Sequence, residues 1–213
     1  ATFNLTDGTN DFFERVGSLS GAGTVALGNN LANTLHFGDA ANTTFSGVFS
    51  GTQAADNIGK YGTGTTTLTG NSSFAGEVQI SAGVLSAQQA NALGVPGGNV
   101  YVLNNATLEV AAGTALAAKG LHLNGFGAGG TGALRGGAGA NSVDGTVDLQ
   151  SNVLIGETTT GSLSIKALID GVVDIAISAG AGKISFGNAN KYTGTTTVNS
   201  GLLEITNALS LGT

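Results

Sequence analysis

An all-β chain wound as a solenoid of parallel strands is what this sequence predicts, and three observations carry the prediction. Apolar residues alternate with small polar ones over short runs such as Thr34-Leu35-His36-Phe37, Leu121-His122-Leu123, Ser162-Leu163-Ser164-Ile165 and Lys183-Ile184-Ser185-Phe186. That period of two is the pattern of strands with one buried face. Clusters of Gly, Asn, Asp and Ser punctuate the runs (Gly28-Asn29-Asn30, Gly70-Asn71-Ser72, Asn104-Asn105, Gly187-Asn188). They supply turns, because they accept positive φ or hydrogen-bond their own backbone. Finally, residues 64–94 and 182–212 align without a gap at an offset of 118.

The repeat decides between a solenoid and a closed sandwich or barrel. Gly64, Leu68, Phe74, Gly76, Ile80, Gly83, Leu85, Leu93 and Gly94 match Gly182, Phe186, Tyr192, Gly194, Val198, Gly201, Leu203, Leu211 and Gly212, while the polar residues between them drift. Recurring turns and inward positions leave such a trace in stacked coils. Val, Ile, Leu and Phe are then expected to stack inward at close-packed density, and corner asparagines to form amide ladders along the axis. Ser86–Leu93 is the best helical candidate, but it is short and closed by Gly94. The stretch Gly125–Ala140, with eight glycines, reads as a Gly-rich loop or irregular coil.

Composition excludes several classes. The 213 residues include no Cys, Met or Trp and one Pro, so disulfide scaffolds, thiolate metal sites and cysteine nucleophiles are out. The 37 glycines lack a three-residue period, which removes collagen. A hydrophobic share of 41% with 9% charged residues is too apolar for intrinsic disorder, and no run is long enough to span a bilayer as a helix. A net charge of −6, with seven scattered Lys and Arg, argues against nucleic acid as a partner.

The block from Lys60-Tyr61-Gly62-Thr63-Gly64 through Phe74-Ala75-Gly76 and Ile80-Ser81-Ala82-Gly83-Val84-Leu85 to Asn91-Ala92-Leu93-Gly94 resembles the passenger-associated repeat of bacterial autotransporters. The second copy, Tyr192-Thr193-Gly194-Thr195-Thr196-Thr197-Val198-Asn199-Ser200-Gly201-Leu202-Leu203, is closer still. Gly21–Leu27 and Thr44–Gly51 are similar to the coil that precedes such a repeat. The resemblance covers about residues 17–110 and 180–213, and it implies a right-handed parallel β-helix exported across the outer membrane of a Gram-negative cell. On that reading, residues 1–213 are one β-helix segment of a longer chain. Its membrane attachment runs only through a translocator barrel outside this chain.

Parallel β-helices also carry polysaccharide lyases and hydrolases, and glycoside hydrolysis needs paired acids. Asp144 with Asp148, and Asp170 with Asp174, lie i and i+4 apart, about 13 Å along a strand and too far for a carboxylate pair. Neighbouring coils can still oppose Asp148 to Asp170 or Asp174, with Lys166 as the local base. The plainer reading sets these acids on a solvated face opposite Val143, Val147, Leu149, Val173, Ile175 and Ile177. His36 and His122, 86 residues apart, each alternate with aliphatics and read as outward surface residues, a poor metal site. Gly136-Gly137-Ala138-Gly139-Ala140-Asn141 is close to a calcium-binding nonapeptide, but Asn141 stands where the charged ligand belongs. No nucleophile elbow, phosphate loop, dinucleotide fingerprint or paired-histidine zinc motif occurs.

Among aromatics, Phe37, Phe45, Phe49, Phe74 and Phe186 read as core. Phe12 and Phe13 are adjacent, so one is exposed or both cap the stack, and Tyr61, Tyr101 and Tyr192 are the surface candidates. The sequence therefore predicts a non-enzymatic, extracellular stalk with no catalytic, metal or cofactor residues. It would act in adhesion to a surface receptor or glycan, or in self-association. A filament, sheath or surface-layer unit is the first alternative, and a polysaccharide-degrading β-helix the second.

Overall fold

A computed structural model describes residues 1–5, 10–28, 32–158 and 160–212. Its strands are all parallel and stack into a β-solenoid with three faces, in which register partners lie 19 to 28 residues apart (Thr65↔Val84, Gly125↔Val153). The first face holds Phe13–Arg15, Thr34–Phe37, Asn57–Lys60, Val78–Ile80, Asn99–Val102, part of Ala115–Gly125, part of Ala140–Glu157, and Leu168–Asp170. The second runs from Thr43–Phe45 through Thr65–Leu68, Gly83–Ala87, Ala106–Val110 and Leu134–Gly136 to 155–157, 175–178 and 196–200. The third starts with Thr2–Asn4, Thr24–Gly28 and Val48–Gly51 and resumes at 115–116, 140–143, Ser162–Ile165, 183–186 and 202–205. Backbone bonds Ser73 N→Phe49 O and Val95 N→Phe74 O carry it across the gap.

The alternation does what the sequence implies. Leu35, Ile58, Val78, Val100, Leu121, Val147 and Ile169 form one buried inward row on the first face. Each such fully buried aliphatic side chain contributes about 1.5–3 kcal/mol. Phe37, Phe45, Phe49 and Phe74 join in the lumen, with Phe49 centroids 5.1 to 6.0 Å from the other three rings. One inward position on that face is a lysine: Lys60, buried, donates from Nζ to the carbonyls of Tyr61, Gly62 and Ala82 at 2.8, 2.9 and 3.2 Å.

Two expectations are corrected and a third in part. Ser86–Leu93 is not helical: Gly83–Ala87 is a strand and the chain then turns. Corner asparagines mostly bond the backbone of an adjacent coil instead of one another, as in Asn33 Oδ1 with Phe12 N, Asn57 Oδ1 with Glu77 N and Asn190 Oδ1 with Ile169 N. A backbone N–H at a corner has no strand partner and takes the amide oxygen instead. Gly125–Ala140 leaves the stack over 126–133, with a single 3-10 turn at Ala128–Gly130, and Leu134–Gly136 re-enters it between Ala106–Val110 and Ala140–Glu157. Of the Gly28-Asn29-Asn30 turn, Asn29 and Asn30 lie outside the described residues.

The repeat copies share local geometry. Gly94 and Gly212 both have positive φ (86° and 76°), and a Cβ there would stand 2.4 Å from Phe74 O and 2.0 Å from Tyr192 O. Yet the copies occupy different faces. Thr65–Leu68 lies on the second face, whereas its counterpart 183–186 pairs with Ser162–Ile165 on the third. Val78–Ile80 lies on the first face and its counterpart 196–198 on the second. The offset thus corresponds to a whole number of coils plus one face.

Candidate binding face

Outward residues of the first face form one unbroken register row: Arg15, His36, Gly59, Gln79, Tyr101, His122, Asp148 and Asp170. Strand spacing of about 4.8 Å brings their side chains into contact. Phe13, 67% exposed, meets His36 edge-on at 4.3 Å between centroids. His36 tilts against Tyr61 at 4.4 Å, and Tyr101 stacks on His122 at 4.7 Å and 14°. Gly59 makes the first cluster possible, because a Cβ there would sit 2.6 Å from His36 Cδ2 and 2.9 Å from Tyr61 Cε2.

Charge is graded along the row. Arg15 lies over the Tyr61 ring at 5.4 Å. Partial burial, and then Arg15, hold the His36 pKa below its ordinary value, which keeps the ring neutral at pH 7. At the other end His122 Nδ1 is 3.1 Å from Asp148 Oδ2, and Gln150 Nε2 donates to the same oxygen. A depression of about 290 Å³ runs from Phe13, Thr34 and His36 past Asn57 and Tyr61 to Glu77, Gln79 and Tyr101. Gln79 is drawn aside, donating to Ser81 Oγ at 2.8 Å and the Tyr61 hydroxyl at 3.4 Å. Glu77 Oε1 accepts from the Tyr101 hydroxyl at 3.2 Å. A larger depression of about 490 Å³ is lined by Phe3, Val16, Leu19, Val25 and Phe45 together with Thr2, Ser18, Ser20 and Thr24.

Tyr61 and Tyr101 thus lie on the face, as do both histidines, four coils apart. Tyr192 does not: it is fully buried, its hydroxyl 2.6 Å from Thr196 Oγ1, because it takes the lumen position that Phe74 takes in the other copy. Of the adjacent pair, Phe12 packs partly against the core and Phe13 is exposed. Asp148 and Asp170 are register partners on neighbouring strands, whereas exposed Asp174 accepts from Thr195 N at 2.8 Å. Asp144 is half-buried and Lys166 exposed. Val143, Val147, Leu149, Ile175 and Ile177 are buried behind them and Val173 half-buried.

Asn141, in the calcium-like segment, is 2% exposed and fully engaged with backbone. Its Oδ1 accepts from Gly113 N and Thr114 N at 3.0 and 3.1 Å, and its Nδ2 donates to Gly137 O at 2.9 Å. Among the described residues no group of three or more His, Cys, Asp or Glu is placed to hold a metal ion, and no helix is long and apolar enough to cross a membrane. Sequence reasoning missed Phe13, Gly59, Glu77 and Gln79 as parts of one surface, since only the register joins them.

The passenger-associated-transport-repeat family matches residues 59–87 and 179–205, overlapping the two copies read from the sequence. The adhesin BmaC autotransporter of Brucella suis biovar 1 (strain 1330) is 32% identical over 167 residues, which is 78% of this chain and 4% of that protein. This chain therefore spans a small fraction of the length of that relative. No solved structure matches. Two matched repeats on a parallel β-solenoid, together with that relative, make this chain a segment of an autotransporter passenger domain.

Proposed function

We propose that this segment is a surface-displayed adhesive module, a β-helical stalk whose first face makes the contact. One observation carries the reading. A surface built mostly of Thr, Ser, Asn and Gly gathers Phe13, His36, Tyr61, Tyr101 and His122 on a single face around a depression with converging polar groups. Clusters of aromatics with a polar handle are what recognition surfaces concentrate. That the similar Brucella protein is called an adhesin, and that passengers cross the outer membrane, support the same reading. The partner is a molecule of a host or neighbouring cell.

The test is adhesion of beads carrying the purified chain to cultured cells. Wild type should adhere, and Phe13→Ala with Tyr101→Ala should lose most of that adhesion while keeping the far-UV circular dichroism of the parent. Equal adhesion by the double variant refutes the assignment of this face. Cleavage of any polysaccharide by the chain, lost in Asp148→Ala, would instead establish the catalytic alternative.

Self-association is a second reading, favoured by the charge gradient. Turned end for end about the middle of the row, a second copy would set Arg15 against Asp170 and His36 against Asp148. Sedimentation should then show a dimer that Arg15→Asp abolishes; a monomer at all concentrations refutes it.

A further inference from the structure

We propose that the depression between Tyr61 and Tyr101 is a saccharide subsite, taking one pyranose ring of an uncharged glycan; this rests on the adhesive reading of the first face. Tyr61 follows Gly59 on one coil and Tyr101 stands two coils on, so two strand spacings, about 9–10 Å, separate their rows. Gln79, on the coil between, folds toward Ser81 and the Tyr61 hydroxyl and leaves the gap open. One face of the Tyr101 ring is covered by His122 on the following coil. Its other face therefore turns toward the gap. A flat, C–H-lined sugar face is a ligand that a free aromatic face at the end of such a depression accommodates. At about 290 Å³ the site sits at the small end of ligand pockets, the size of a single ring and not of a folded peptide segment.

The polar lining matches a polyol. Glu77 accepts through Oε1 from Tyr101 and Asn99, which leaves Oε2 as an acceptor; Gln79 donates through Nε2, which leaves Oε1. Asn57 accepts from Glu77 N through Oδ1, so its Nδ2 remains a donor. Acceptors and donors thus alternate around the slot, as vicinal hydroxyls require. Arg15 over Tyr61 at one side and Glu77 at the other leave the slot without net charge, which suits an uncharged ring.

The experiment is saturation-transfer NMR of the intact chain with the methyl glycosides of glucose, galactose, mannose and N-acetylglucosamine, beside glucuronic acid and a sulfated galactoside. Cell adhesion after mild periodate or after protease treatment of the target cells is read in parallel. Transfer to at least one uncharged glycoside is expected, weaker for the acidic pair, and reduced about tenfold by Tyr101→Ala or Tyr61→Ala. Adhesion should fall after periodate. If no glycoside responds and adhesion survives periodate but not protease, the partner is a polypeptide: the saccharide subsite is overturned and the adhesive reading stands. If untreated cells are not bound either, the adhesive reading itself fails.

Discussion

Lys119→Met should stabilise the fold, and the reason is electrostatic. Lys119 is 3% exposed, and its Nζ has no hydrogen-bond partner among the described residues. Its nearest favourable neighbour is the Phe74 ring, 5.9 Å from Nζ. Burial lowers its pKa from 10.5 to about 8. At pH 7 the amine is charged both folded and unfolded, so the whole cost of burying that charge, about 3 kcal/mol, falls on the native state. Between pH 8 and 10.5 the folded chain gives up the proton first; the unfolded state then binds more protons and stability rises with pH. Methionine keeps the volume and removes the charge, at the loss of a cation–π contact worth about 0.5–2 kcal/mol. The net gain at pH 7 is about 1–3 kcal/mol, which in urea is a midpoint shift of about 1 M with unchanged slope. At pH 10 the gain should fall below about 1 kcal/mol, and the comparison cancels Lys60, whose pKa burial also lowers to about 8. A lower midpoint for the variant at pH 7, or a gain that persists unchanged at pH 10, would refute the reasoning.

Two further substitutions probe the corners. Asn141→Ala strands the Gly137 carbonyl and leaves Gly113 N and Thr114 N only their longer bonds of 3.3 Å to Ala138 O and Ala111 O, so urea midpoints should report a loss of about 1–2 kcal/mol, with Asn141→Asp recovering only the acceptor half. Gly94→Ala combines positive φ with a Cβ 2.4 Å from Phe74 O, and should cost at least about 2 kcal/mol by thermal or chemical unfolding.

The solenoid was legible because its rule is local. Alternation in Thr34–Phe37 or Ser162–Ile165 states which residues point inward whatever the neighbouring coils do. Tyr192 reads as a surface residue from its hydroxyl, and the structure buries it where its alignment with Phe74 places it. The row on the first face was not legible. Bringing His36 and His122 into line takes coil steps of 23, 20, 22 and 21 residues through Gly59, Gln79 and Tyr101. Corner lengths vary from coil to coil, and one misjudged residue would turn a side chain to the other face. Buried lysines were equally hidden: Lys60 reads as a surface residue until three carbonyls are seen around its amine.

The rotated repeat explains why architecture and site are encoded in separate residues. Because 182–212 lies one face round from 64–94, anything both copies retain must serve on either face. Inward apolar positions and corner glycines meet that condition, since every coil needs them; a ligand-facing side chain does not, since its neighbours differ from face to face. Gln79, which floors the slot, has Thr197 as its counterpart, on the second face where no ring row runs. On the proposed reading, binding is written in the drifting polar positions that the repeat discards, where coil lengths bring the rings into register. Altering the corner between Lys60 and Thr65, outside most of the repeat, would leave its inward positions in place and shift Tyr61 relative to Tyr101 on the proposed face.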